Sequence, residues 1–186
     1  MSDAHVGVMM TERLLLRPFV ARDAPRFAEL AGTSRIAEAM ISIPHPMSLD
    51  IARAEIGRFQ DECASQRSVT FAITLRHRTD QCVGLVALRH IDRDHDEGEL
   101  SFWIAESEEG HGYVTEAARA ALECAFQALQ LNRVCAYHLA RNSASGRVLA
   151  RLGMEQEGRL RGRVRKSGAY HDVLLWALLK AEWRRA

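Results

Sequence analysis

The sequence predicts a mixed α/β domain of the α+β kind. Segments rich in β-branched residues or alternating at period two recur along the chain, and stretches with apolar residues three and four apart separate them. The order is strand, two helices, three strands, helix, strand, helix, two strands, which is not the regular alternation of a parallel α/β fold. The chain has 186 residues, 47% hydrophobic and 26% charged, enough for one domain with a true core and unlike a disordered or collagen-like chain. With no repeat, low-complexity run or linker, residues 1–186 are expected to form a single domain with a flexible start at 1–10.

Each element has a local reason. RLLLRPF (13–19) reads as a strand ended by Pro18. Asp23 is an N-cap candidate for a short helix that tolerates Pro25 in its first turn and presents Phe27, Leu30 and Ala31 on one side. A rigid loop, IPHP (43–46), leads to a second N-cap candidate, Ser48, and to Ile51, Ala52, Ile56, Phe59 and Cys63 at near-helical spacing. Residues 69–76 and 82–91 read as strands around a turn at 78–80, and 97–104 as a third after the acidic turn 92–96. In that third strand Leu100, Phe102 and Ile104 face one way, and Glu99, Ser101 and Trp103 the other. A long helix over 113–129 buries Ala118, Leu122, Ala125, Phe126 and Leu129 and wets Arg119, Glu123 and Gln127. Residues 133–140 form a strand, a short helix follows Asn142 and stops at Gly153, and 158–179 form two strands around Ser167 and Gly168.

Balanced charge narrows the function. Lys and Arg number 25 against 24 Asp and Glu, a net charge of +1, so no global field draws the chain to nucleic acid or to an acidic membrane. No sequence-specific nucleic-acid partner and no membrane partner are expected. No apolar run approaches the roughly 20 residues of a membrane span. The first ten residues lack the pattern of a secretory signal. Cys63, Cys82, Cys124 and Cys135 show no C-x-x-C spacing and read as core fillers in a cytoplasmic protein.

The most informative segment is EEGHGYVTEA (108–117), which joins the strand ending at Ile104 to the long helix. Gly110 and Gly112 allow the backbone close to a ligand. The unpaired N–H groups of the following helical turn, with the positive end of the helix dipole, suit an anion such as a pyrophosphate. The same spacing also fits a plain glycine-containing turn. It is neither a Walker loop, for no G-K-[ST] follows, nor the fingerprint G-x-G-x-x-G, whose third glycine position is Thr115.

A second segment, NSASGRVLARLGM (142–154), completes a pattern. The strand, the Gly-x-Gly turn, the Thr-Glu-Ala helix, Asn-x-x-Ser and Leu-Gly-Met in this order resemble the GCN5-related N-acetyltransferase (GNAT) superfamily, in its ribosomal-protein N-terminal acetyltransferase-like branch. RLLLRP (13–18) resembles that branch's opening strand, and GAYHD (168–172) with Glu182 and Trp183 resembles its ending.

The resemblance implies a GNAT-like mixed, largely antiparallel sheet of about six or seven strands with a splayed central pair, flanked by about four helices. It implies acetyl-coenzyme A as co-substrate and no metal. A bulged, splayed strand would pair with the pantetheine arm through Phe102, Trp103 and Ile104. The pyrophosphate would sit on Gly110, His111, Gly112, Tyr113, Val114 and Thr115, and the thioester near Asn142 and Ser145. Glu109 and Val114 depart from the family's usual loop residues and would weaken the cofactor's hold. His45, Ser101, Tyr170 and Asp172 fall where the family binds its acceptor.

Acetyl transfer needs a neutral amine, and an α-amine with pKa near 8 is only roughly a tenth neutral at pH 7. Glu99 is the candidate to accept the proton, with Glu157 as an alternative; a strand carboxylate paired with an arginine is the competing reading. Ser145 would protonate the leaving thiolate, unless it only serves its helix's first turn. Asn142 carries the same ambiguity as an N-cap. The expected function is transfer of acetyl to a primary amine, at a protein N-terminus or on a small molecule, by direct attack. A non-catalytic acetyl-coenzyme A-binding or protein-interaction module with the same fold is the alternative. A longer acyl group would differ only in pocket volume. Open sheet edges would allow a homodimer.

Three other signals lead elsewhere. Asp92, Asp94 and Asp96 imitate the start of a calcium loop, but Glu97 replaces the required glycine and Trp103 the closing Glu. Cys135 and His138 fall on opposite faces of a strand. Arg159, Arg161, Arg163 and Arg165 alternate at period two, which reads as a wet basic face or a dock for an acidic partner or ribosomal RNA.

Overall fold

A computed structural model describes residues 7–41 and 43–183. Thirteen elements follow in chain order: strands β1 (Met9–Met10) and β2 (Leu14–Pro18), helices α1 (Ala24–Ala31), α2 (Ser34–Ala39) and α3 (Leu49–Ala64), strands β3 (Val69–Leu75), β4 (Arg78–Asp92) and β5 (Glu97–Ile104), helix α4 (Tyr113–Glu123), strand β6 (Arg133–Leu139), helix α5 (Ser143–Arg151), and strands β7 (Glu155–Lys166) and β8 (Ala169–Leu179). The fold class is the one expected, with one strand and one helix more. Of the expected flexible start, Met9 and Met10 pair with Leu16 and Leu15; residues 1–6 lie outside the described residues.

One eight-stranded sheet runs in the order β1-β2-β3-β4-β5-β6-β8-β7. Every neighbouring pair is antiparallel except β5 and β6. A parallel pair needs a crossover, and α4 supplies it. Two cores cover the two faces. On one, α4, the turn of residues 124–128 that continues it, and α5 bury Leu122, Phe126 and Leu149 against Leu16, Ile73, Val86 and Leu100. On the other, α1 and α3 bury Phe27, Ile56 and Phe59 with Phe19, Leu85 and Trp103. Rings from this second core meet edge-on or tilted, Phe19 5.4 Å from Phe27 and Phe27 6.0 Å from Trp103. β3 is buried along its whole length because it is covered on both faces. The alternation of β5 holds, with Leu100, Phe102 and Ile104 on the first core and Trp103 in the second.

Several local expectations are corrected. Asp23 does not cap α1 with its side chain. Both its carboxylate oxygens accept from the Arg17 guanidinium at 2.7 Å, and one also accepts from Val20 N–H. A buried guanidinium demands this partner more strongly than a helix end does. Ser48 caps α3 as expected, accepting from Ile51 N–H. Cys63 and Ile51 are exposed, so the buried stripe of α3 is Ala52, Ile56 and Phe59. The β3–β4 turn is Arg76 and His77, earlier than 78–80. The long helix changes hydrogen bonding after Glu123, where residues 124–128 form a π-turn closed by Leu129 N–H to Cys124 O. The β7–β8 turn is at Ser167 and Gly168, with φ of 49° and 81°; two positive φ values favour glycine at least once.

Candidate active site

The sheet splits between β5 and β6. Their pairing covers Glu97 with Arg133 through Leu100 with Ala136 and then stops. Beyond it residues 101–104 keep β4 as their only strand neighbour, and residues 137–139 keep only β8. Strand edges are thus left open inside the molecule, where an extended chain can pair. The bulge that accompanies this split lies in β4, not in β5. Between Arg89 and Asp92, β4 carries an extra residue, and His90 takes φ 50°.

Two cavities enter the fork. One, of about 400 Å³, runs from Glu109, Gly110 and Gly112 past Val114 and Thr115 to Phe102, Asn142 and Ser145. The other, of about 410 Å³, is lined by Glu99, Ser101, Tyr137, His138 and Arg163, among others. Ala39, Met40, Phe102 and Ser145 line both. A smaller space beside Ser101 and Trp103 reaches Ile43 and Pro44. Exposed His45 and Tyr170 line none of these spaces; nor does His111, though Gly110, Gly112, Tyr113, Val114 and Thr115 share one groove with Trp103 and Ile104.

The mouth of the first cavity is the N-terminus of α4. Its first intrahelical bond is Glu116 N–H to Gly112 O at 3.1 Å, so the amides of Gly112, Tyr113, Val114 and Thr115 have no acceptor in the helix. Gly112 takes φ 78°, which a residue with a Cβ adopts only at a cost of about 1–2 kcal/mol. Glu109, the unexpected acid, is gripped by Arg35 of α2, Nε to Oε1 at 2.9 Å, and Arg78 holds Glu108 at 3.0 Å. The loop's negative charge is therefore countered within the protein. Arg147 and Arg151, one turn apart on α5, line the same groove.

Glu116 ties the chain's start to this helix. Its carboxylate accepts from Thr11 Oγ1 at 2.6 Å, Arg13 N–H at 2.9 Å and Arg13 Nε at 2.7 Å. Arg13 also donates to His111 O and lies 4.8 Å over the Tyr113 ring, which stacks on His111. Burial alone would raise the Glu116 pKa, but these bonds outweigh it and hold the carboxyl below its ordinary value. A depressed folded pKa adds stability above the unfolded value, about 4.3, and loses it as pH falls through the folded value. The melting-temperature gap between wild type and Glu116→Gln should therefore be widest at neutral pH and close in acid. A pH-independent gap would deny the clasp its charge.

The junction of the cavities is roofed by the end of α2. Carbonyls of Glu38, Ala39 and Met40 accept from Arg141, Asn142 Nδ2 and Lys166 Nζ, which reach across the fork. Asn142 Oδ1 accepts from Ser145 N–H at 3.2 Å and caps α5. Ser145 Oγ makes no hydrogen bond among the described residues. Nor does the half-buried Glu99 carboxylate make a hydrogen bond or an ion pair among them. Glu157 is different: Arg133 binds it in two-pronged fashion at 2.8 and 2.5 Å, depressing its pKa, and it lines none of these cavities. Held in this way, it is a poor proton acceptor.

His138 is fixed as a neutral ring. Trp176 Nε1–H donates to its Nε2 at 3.0 Å, so Nδ1 carries the proton and donates to Leu139 O. Burial lowers its pKa. The Cys135 thiol is pushed up to about 11 and Cys82 to about 12, both chiefly by burial, which keeps them protonated. Asp92 Oδ1 accepts from the N–H groups of Asp94 and His95 and so builds its own turn.

A sheet opened at its centre, with helix amides at one mouth and a carboxylate cavity behind, suits a group-transfer enzyme whose donor carries an anionic group. Residues 13–155 match the acetyltransferase (GNAT) domain, and the chain belongs to that family; it is an acetyl-coenzyme A-dependent N-acetyltransferase. The putative ribosomal N-acetyltransferase YdaF of Bacillus subtilis is 30% identical over 177 residues, covering 94% of this chain and 95% of that protein. A crystal structure of a probable acetyltransferase superposes with TM-score 0.87 at 28% identity, covering 95% of this chain and 98% of that one. Mycobacterium smegmatis RimJ, in complex with CoA-disulfide, superposes with TM-score 0.82 at 25% identity, covering 93% and 85%. Among the described residues no helix is long and apolar enough to cross a membrane.

Proposed function

We propose that the chain, as one domain over residues 1–186, acetylates a primary amine at a protein or peptide N-terminus, in the cytoplasm. The carrying observation is the pair of cavities that meet at Phe102 and Ser145, one leading to the helix amides and the other to Glu99. A thioester entering from one side meets an amine entering from the other. The ribosomal N-acetyltransferase named among its relatives supports the polypeptide acceptor.

The donor set fits acetyl-coenzyme A. The free amides of residues 112–115 suit its diphosphate. Arg147 and Arg151 add positive charge for its phosphates. The open edge at Phe102, Trp103 and Ile104 suits the amides of the pantetheine arm. Bound there, it supplies an activated acetyl carbon and a thiolate leaving group. Ser145 Oγ–H donates to the departing sulfur, and Asn142 fixes the helix turn that carries it. Glu99, directly or through water, takes the proton of the ammonium. Ser101 lies on the same strand face as Glu99 and lines the acceptor side. His45 and Tyr170 stand outside the cavity and would meet only a longer acceptor.

The reading is tested by thiol release from acetyl-coenzyme A with a panel of N-terminal peptides and small amines. Turnover with peptides bearing a free N-terminus, absent when that terminus is blocked, is expected. Cofactor binding without turnover over the whole panel would favour a non-catalytic module.

A further inference from the structure

The inference rests on the acetyl-transfer reading above and concerns what the acceptor carries besides its amine. We propose that Arg163 binds a carboxylate on the acceptor, so that the cavity selects amines with an anionic group close to the reacting nitrogen.

Arg163 and Glu99 line the same cavity with opposite charges and form no ion pair with each other. Among the described residues Arg163 makes no hydrogen bond or ion pair; the same holds for Arg161 and Arg165, but of the three it is Arg163 that lines this cavity, and other nearby cations are engaged. Arg159 holds Asp172 at 2.7 Å, and Lys166 donates to Met40 O. Arg89, also in the cavity wall, has an interaction of its own.

Arg163 lines the cavity from a bulge in β7 and is itself exposed. Leu160 pairs with Val173 and Val164 with His171, so β7 has two more residues than β8 there, and Gly162 takes φ 58°. Arg163 and Val164, consecutive at this bulge, both line the cavity. Asp172 pins the bulge: Oδ1 accepts from Gly162 N–H at 2.8 Å and Oδ2 from Arg159. Asp172 is thus a positioning residue. An acceptor with its ammonium toward Glu99 and a carboxylate toward Arg163 matches both charges. A guanidinium receives a carboxylate with paired, charge-assisted bonds.

Two sources share this chemistry, a free amino acid and a peptide with an acidic residue next to its N-terminus. The test compares matched pairs by thiol release: an α-amino acid against its carboxamide, and a peptide with Asp or Glu at its second position against Asn or Gln. In at least one pair, the carboxylate member should have the higher kcat/KM by about tenfold. Which pair responds identifies the source. In Arg163→Gln the members should become equal, chiefly through a raised KM for the carboxylate. Arg163→Lys should keep part of the preference, and Asp172→Asn should raise the same KM with little change in kcat. No preference in either wild-type pair, or a preference that survives Arg163→Gln, overturns the proposal. Acetylation of neither member of either pair overturns the acetyl-transfer reading itself, and the proposal with it.

Discussion

Ser145→Ala should lower kcat about a hundredfold while leaving the dissociation constant for acetyl-coenzyme A nearly unchanged. The division follows from the two ends of the residue. Its N–H, which the alanine keeps, is the group bound by the Asn142 cap, so α5 retains its start. Its Oγ makes no hydrogen bond among the described residues, and the residue lines both cavities. A hydroxyl there matters when negative charge gathers on sulfur, and much less before. The size is at the low end for general acid catalysis because a thiolate is already a fair leaving group. Steady-state kinetics with a parallel binding titration separate the outcomes. Unchanged turnover would take Ser145 out of the chemistry, and a weakened affinity with unchanged kcat would reassign it to cofactor binding.

Glu99→Gln should lower kcat/KM about a hundredfold at pH 7, and the deficit should shrink as the pH rises past the amine's own pKa near 8. The glutamine keeps the shape and loses only the capacity to take a proton. At neutral pH most of the acceptor is ammonium, and removing its proton is the step that needs help. At higher pH solvent has already removed it. A purely structural role would give the same deficit at every pH. The comparison is informative because no arginine pairs with Glu99 among the described residues, in contrast with Glu157.

What the sequence disclosed was what local chemistry controls. The alternation of β5, the glycines before α4, the cap at Asn142 and the stop at Gly153 each depend on residues a few positions apart. What it hid depends on distant partners. Helix α2 has six residues and too little periodicity to be seen. It is held by its Thr33 cap and by Arg141, Asn142 and Lys166 from the far side of the fork. Met40 and Tyr137 enter the cavity only through that contact and through the place where β5 leaves β6. Arg163 was visible as part of an even basic stripe, but the bulge beside the cavity from which it projects is set by pairing with β8. The Asp23 cap failed for a related reason: Arg17, six residues earlier, becomes buried and claims the carboxylate.

The most direct measurement records the backbone amide resonances of the protein while acetyl-coenzyme A is added. The largest shifts should fall on the amides of Gly112, Tyr113, Val114 and Thr115, on Phe102 through Ile104 at the open edge of β5, and on Asn142 and Ser145. Saturation without movement at these three places, or movement concentrated elsewhere on the surface, would contradict the fork as the seat of acetyl transfer.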